Sequence, residues 1–484
     1  MSRLRRKPSK LAIASAPRYQ TENPQPLAAR QRNPITPKKF VRLTLWPLVA
    51  ATFFMVSGGT YGTEEIVHGA GYGRGILILL LTPLLWSLPT AFMIGELSSA
   101  LPHEGGYYAW VRRAMGNFWG FQEAWLSLVA SIFDMAIYPT LFVAYLTRMF
   151  PWFQQGNRGW WVAFAVVVAC AALNIAGVKV VSLTSLWLFF ALSAPFVAIV
   201  VLAPFKMGAL ANAVTKPTTS SVDILGGLLI CMWNYMGWDN ASTIATEVEK
   251  PQRTYPRAML VAVAIVALSY VLPFAALWMT GLTSSAWETG SWADIAGLLG
   301  GPLLRIGVVL GGVISAFGMF NALVMSYSRL PLAMAQDGML PSIFAKLQKK
   351  SRAPWVAIIG LAMCWAMCLG LGFARLVTLD ILLYGFSLLL EFLALAVLRF
   401  REPDLPRPFR VPGGLFGAIA IGIPPMLLLG FSIFRSEHEQ VWNMSSFAFG
   451  MILIAAGFVA YFVNHALKPQ GWAVPAQPKA EPAA

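Results

Sequence analysis

Histidine and cysteine each occur four times in this chain of 484 residues, and only 12% of its side chains are charged. Each scarcity removes a class of function. Cys170, Cys231, Cys364 and Cys368 all fall within apolar runs, where cysteine acts as a small buried hydrophobe and neither disulfides nor metal binding is expected. Cys364 and Cys368 lie one helical turn apart, but no histidine or acid accompanies them. The sequence has no phosphate-binding loop, no G-x-S-x-G nucleophile elbow and no metal-ligand cluster, and histidine is too scarce to supply a general base. No enzyme activity, cofactor or metal is therefore expected. Any transport must run on a gradient or an exchanged solute, since the chain cannot use ATP alone.

Hydrophobic residues are abundant, at 57%, and soluble domains carry roughly twice the charge found here. The composition is that of a membrane protein. Twelve windows of low charge are each long enough to cross a hydrocarbon core about 30 Å thick. They run approximately over 43–67, 76–98, 118–149, 159–177, 181–204, 222–247, 257–280, 302–328, 353–373, 376–398, 414–434 and 441–466. All should be helical, because an open strand would leave backbone polar groups unpaired in lipid. An all-α, twelve-helix domain over 43–466 is the expected architecture.

Orientation follows from the basic residues. The first 42 residues carry eleven lysines and arginines against the single acid Glu22, and the loops holding Arg112 and Arg113, Lys250 to Arg257, Lys346 to Arg352 and Arg399 to Arg410 fall on the same side. Both termini should face the cytoplasm of a cell membrane. The net charge of +15 is accounted for by this topology and calls for no nucleic-acid partner. Residues 1–42 and 467–484 have too few periodic apolar positions to fold and read as disordered tails, the first suited to anionic lipid. The sequence does not say whether there is a protein partner.

Two windows break their own rule. Gly58, Gly59 and Gly62 interrupt the first, with Glu64 and Glu65 following, and Gly237-Trp238-Asp239 interrupts the sixth. Interruptions five spans apart suggest an inverted repeat, about 43–204 and 222–398, with two added helices over about 414–466. In such transporters the broken helices meet near the midplane and build the substrate site. Lone glycines more often serve close helix packing; matched breaks bordered by acids favour transport.

The run GELSSALPHEGGYYAWVRRAMGNFWGF holds Glu96, Pro102, Gly105, Gly106, Tyr107, Trp110 and Gly116 at places that resemble the signature of the amino acid, polyamine and organocation (APC) superfamily. EVEKPQRTYPRA and LPLAMAQDGMLP resemble the same group. SGGTYGTEE, DMAIYPTLFVAYL and LEFLALAVLRFREPDLPRPFRVP are similar to its polyamine/proton symporter branch, whose bacterial relatives include amino-acid permeases. The resemblance covers about 43–410 and implies a LeuT-like fold, five helices plus five, working by alternating access. Thr60, Glu65 and Lys250 depart from the pattern, which usually shows proline, aspartate and asparagine there.

The intramembrane acids supply an independent physical reading. Asp134, Asp239 and Glu391 lie deep in spans, where an ionised carboxylate costs roughly 2.5–3.5 kcal/mol on insertion scales, and no span holds a lysine or arginine deep enough to pair with them. Either they are protonated or a cation from outside stabilises them. An aromatic ring beside an acid suits an alkylammonium group. Trp238 adjoins Asp239, and Tyr138 lies one turn from Asp134 on the same face; Tyr61 and Tyr235 are weaker candidates. The expected substrate site therefore comprises Ser57, Gly58 and Gly59 at the opened first helix, with Glu65, Asp134, Asp239 and Glu391 for ammonium groups. Tyr61, Tyr138, Tyr235, Gly237 and Trp238 line it. Asp239 is the expected coupling point to the proton. Glu96, at a cytoplasmic span end, reads as a gate or structural residue within reach of Arg112 or Arg113.

The expectation is a secondary importer of a small organic cation, a polyamine, together with protons. An amino-acid transporter is the nearest rival: there the glycine break would bind a carboxylate through its amides and the carbonyls of the sixth helix would receive the amine. A transporter-like sensor is the second.

Overall fold

The computed structural model describes residues 43–102, 105–177, 181–211, 213, 222–441 and 443–467. The two expected disordered tails, Leu467 apart, lie outside the described residues. Each of the twelve apolar windows contains helical backbone. The first is split into α1 (Leu45–Val56) and α2 (Glu64–Ala70). The second is α3 (Tyr72–Thr82) running through a π-helical turn at Pro83–Ser87 into α4 (Leu88–Ala100), where Pro83 and Pro89 lack the N–H of a regular ladder. A short α5 (Gly106–Met115) precedes α6 (Asn117–Met149), and α7 (Arg158–Ala176) and α8 (Val181–Leu202) follow.

The sixth window is α9 (Ile224–Asn234) and a 3-10 segment at Trp238–Glu247. Asp223 caps α9 by accepting the Gly226 N–H at 2.8 Å. α10 (Pro251–Trp278) begins at Lys250, whose φ of 48° lies in the left-handed region that asparagine enters more readily. α11 (Trp292–Gln336) is broken at Gly301, with φ 74°, and restarts on Pro302. The remainder are α12 (Trp355–Met367), α13 (Phe373–Arg401), α14 (Gly414–Ala420), α15 (Ile423–His438) and α16 (Ser446–Leu467). The only β structure among the described residues is a two-residue ladder, Gln440–Val441 against Met444–Ser445, and a bridge joining Leu43 to Val248.

Nine helices among the described residues are long and apolar enough to cross a membrane. Burial sorts them into layers. In their most apolar stretches α6 and α13 are each 72% buried and α11 67%, against 17% for α16 and 22% for Phe189–Lys206. The first three therefore form the centre of the bundle, and the others turn apolar side chains such as Phe205, Met367 and Phe416 outward, a surface that lipid rather than water must cover. Two of these central helices, α6 and α13, carry the buried acids Glu123, Asp134, Asp380 and Glu391.

Candidate functional site

The first helix opens where glycine permits it. Gly58, Gly59 and Gly62 have φ of 59°, 109° and 84°, and Gly237 in the sixth has 86°, values strained for any residue with a Cβ. Local partners hold the opened backbone: the Gly58 N–H donates to Phe53 O at 3.2 Å, the Gly59 N–H to Ser57 Oγ at 3.1 Å, and Ser315 Oγ of α11 donates to Gly58 O at 2.5 Å. The two breaks rest on one another. Asn234 Nδ2 donates to Gly62 O at 3.3 Å, and a Cβ on Gly237 would sit 3.1 Å from Met55 O.

Against these breaks stand two polar stripes. On α6, Glu123, Ser127, Asp134 and Tyr138 recur at helical spacing; on α13, Asp380, Tyr384, Ser387 and Glu391 do the same. The stripes touch, Ser127 Oγ and Ser387 Oγ lying 3.0 Å apart. All the acids in them, and Asp239, are no more than 4% exposed. Among the described residues no lysine or arginine nitrogen comes within 4.0 Å of any of these five carboxyls.

Their hydrogen bonding is unequal. Asp134 accepts three: from Tyr138 Oη at 3.0 Å, Trp233 Nε1 at 3.2 Å and Tyr327 Oη at 3.1 Å. Asp239 accepts from Tyr384 Oη at 2.8 Å, and that same hydroxyl receives the Gly237 N–H at 3.4 Å. Glu123 Oε1 accepts from Ser387 at 2.5 Å and Ser127 at 3.3 Å, while its other oxygen has no partner among the described residues. Among the described residues neither carboxyl oxygen of Asp380 or of Glu391 has one. Asp239 is the electrostatic junction, interacting with Asp134 and Asp380 on one side and with Glu123 and Glu391 on the other.

Most expected site residues gather here, and some do not. Ser57, Gly58, Gly59 and Gly237 form the breaks, and Asp134, Tyr138, Asp239 and Glu391 lie in the core. Glu65 stands apart: Thr289 donates to it through both N–H and Oγ1 at 3.0 Å. Its neighbour Glu64 is the fully buried one, bonded to Tyr145 Oη and to the Gly290 N–H at 2.9 Å. Tyr61 packs edge-on against Tyr145 and Phe196 at 5.1 and 5.0 Å. Tyr235 donates to Leu79 O at 3.0 Å, and Trp238 Nε1 donates to Tyr235 O at 2.7 Å, so both spend their polar atoms on neighbouring backbone.

Glu96 corrects an expectation. It pairs with Arg399 and with Arg407 at 3.2 Å, and accepts the Val411 N–H at 2.7 Å. Arg112 instead pairs with Asp337, and Arg113 with Glu402 at 2.7 Å, which holds the Glu402 carboxyl below its ordinary range. The reason is packing: the end of α13 and the loop after it fold over α4, closer to Glu96 than its neighbours in sequence.

Glu123 and Asp380 were missed. Each sits six or seven residues inside its helix and reads as interfacial when counted alone. The signal lay in the stripes, where Asp380, Tyr384, Ser387 and Glu391 follow at steps of four, three and four.

A multi-pass bundle with two opened helices facing buried carboxyls that have no basic partner among the described residues defines a membrane transporter. The chain belongs to the amino acid permease family of the APC superfamily, whose family model matches residues 49–456. It is 33% identical over 457 residues to the polyamine transporter RMV1 of Arabidopsis thaliana, covering 91% of this chain and 93% of that one. It is 34% identical to the polyamine transporter PUT1 of Oryza sativa subsp. japonica, over 85% and 77% of the two chains. The serine/threonine exchanger SteT of Bacillus subtilis is 23% identical over 87% of this chain and 94% of its own. As a member of this family the protein is a secondary transporter.

Proposed function

We propose that this chain imports a small organic cation of the polyamine class together with protons. It would work by alternating access in a LeuT-like frame of twelve spans, five plus five with two added, in a cell membrane with both termini cytoplasmic. The observation that carries the substrate class is the set of buried carboxyls without a described basic partner, because ionised acids in such a place need positive charge from a ligand. Asp134 and Asp239 hold ammonium groups, Asp380 adds negative charge beside them, and Tyr138 and Trp233 flank the alkyl chain. Asp239 couples cation to proton.

The printed names of RMV1 and PUT1 support the same substrate class. The amino-acid reading draws on SteT, but the amides it needs at the first break, those of Gly58 and Gly59, are already spent on Phe53 O and Ser57 Oγ. Competition in proteoliposomes tests the choice. Putrescine and spermidine should block uptake of a labelled diamine while leucine, arginine and glutamate leave it unchanged; competition by amino acids alone overturns the polyamine assignment.

A further inference from the structure

Three of the five core carboxyls differ sharply in chemistry, Asp134 on one hand and Glu123 and Glu391 on the other. Asp134 is built as an anion, since three N–H or O–H donors converge on its two oxygens and donors to the charged form stabilise it. Glu123 and Glu391 have no such cradle. Both are fully buried; among the described residues Glu391 has no hydrogen-bond partner on either oxygen, and the bonds to Glu123 come from the Ser127 and Ser387 hydroxyls alone. Glu391 interacts electrostatically with Glu123. Two like charges in such a place cannot both persist, and one proton between them removes the conflict.

Position separates the sets as well. Glu123 precedes Asp134 by eleven residues on α6, and Glu391 follows Asp380 by eleven on α13, which is about 16 Å along each helix at 1.5 Å per residue. We propose that Glu123 and Glu391, with the Ser127 and Ser387 hydroxyls between the stripes, form a proton-binding site distinct from the cation site at Asp134 and Asp239. This rests on reading the chain as a proton-coupled cation transporter.

The other titratable groups that act on the pair are Asp239 from the 3-10 segment and Tyr107 from α5, with Tyr384 acting on Glu391 from the same helix. Among the described residues no basic group joins them. The junction at Asp239 gives the site its use. A proton on the pair removes the like charge that Asp239 would otherwise face, so Asp239 stays anionic and receives an ammonium group. Proton and cation thereby load together. No bond to the substrate changes: one proton enters on a glutamate oxygen and leaves from it on the other side of the membrane.

Two measurements on the full-length protein test this. In proteoliposomes, a one-unit pH gradient supplies about 1.4 kcal/mol per proton and up to about tenfold accumulation. Glu123→Gln and Glu391→Gln should lose that accumulation yet keep measurable exchange of labelled putrescine at equal pH, whereas Asp134→Asn loses both. Glu391→Asp, which keeps an ionisable group, should recover part of the accumulation. Wild-type coupling in either Gln variant, or loss of putrescine exchange together with binding in properly folded Gln variants, overturns the site. The second measurement needs no transport. Infrared spectra of the purified wild type at neutral pH should show the C=O band of a buried protonated carboxyl, weakened in Glu123→Gln and Glu391→Gln and intact in Asp134→Asn. Its absence from the wild type overturns the proton site. Failure of every cation to exchange, with the band present, falls on the transport reading instead.

Discussion

Asp134 shows at the scale of one residue how a buried acid is prepared for a ligand. Tyr138 comes from its own helix, one turn away, and the sequence predicts that contact. Trp233 and Tyr327 come from α9 and α11, 99 and 193 residues distant in the chain, and no spacing rule reaches them. Replacing Asp134 by Asn halves the acceptors and removes the charge, and interactions with charged partners are worth roughly 1.5–3 kcal/mol. Putrescine affinity measured by calorimetry should fall at least about tenfold. An unchanged affinity would remove Asp134 from the site. Glu96 is a residue of the opposite kind, since its charge is matched by Arg399 and Arg407 and all three side chains are 5% exposed or less. Removing one member of a buried ion pair costs about 3–5 kcal/mol. Glu96→Gln should lower the melting temperature in detergent clearly, with a polyamine-binding defect only in proportion to the unfolded fraction.

Among the elements, the broken first helix depends on backbone that side chains would spoil. A Cβ on Gly58 would collide with Met319 and come within 2.6 Å of Ser315 Oγ, at a φ of 59°. That conformation alone costs a non-glycine residue roughly 1–2 kcal/mol. Gly58→Ala should therefore abolish uptake in protein that still reaches the membrane. Gly430→Ala is the control: it lies in α15 with nothing within 4 Å of the added atom, and alanine is the better helix former, so uptake should hold. Equal losses in both variants would show that the break at Gly58 has no special role. The position of both breaks was legible because glycine and acid inside an apolar run are visible in one dimension. The two stripes were half legible: Asp134, Tyr138 and Glu391 stood out near mid-span, while Glu123 and Asp380 near helix ends looked like ordinary interfacial acids.

Across the whole molecule, two groups of short polar ties lie away from the core carboxyls. In one, Glu64 and Glu65 hold the 289–290 loop, and Arg148 bridges Glu288 at 3.0 Å and Asp294 at 2.7 Å. In the other, Asp337 pairs with Arg112 and accepts from Tyr108 Oη at 2.7 Å, joining α5 to the end of α11. Asp337→Asn weakens that tie, and hydrogen–deuterium exchange in α5 should rise while exchange in α2 stays level. A rise in both helices would mean general loosening rather than release of one tie. These ties also join the family's motifs to each other: Arg112 of GELSSALPHEGGYYAWVRRAMGNFWGF meets Asp337 of LPLAMAQDGMLP, and Glu96 of the first meets Arg399 and Arg407 of LEFLALAVLRFREPDLPRPFRVP.

The sequence by itself determined that the chain is helical and membrane-embedded, where two helices open and which acids lie mid-span, because hydropathy, glycine and charge are properties of single positions and their spacing. Only the tertiary structure decided which arginine serves Glu96 and that Glu64 rather than Glu65 is fully buried. It alone brought Glu123 and Glu391 into one set and gave Asp134 its three donors. Pairing between helices is set by how their faces pack, and nothing in the linear order of residues records which face meets which.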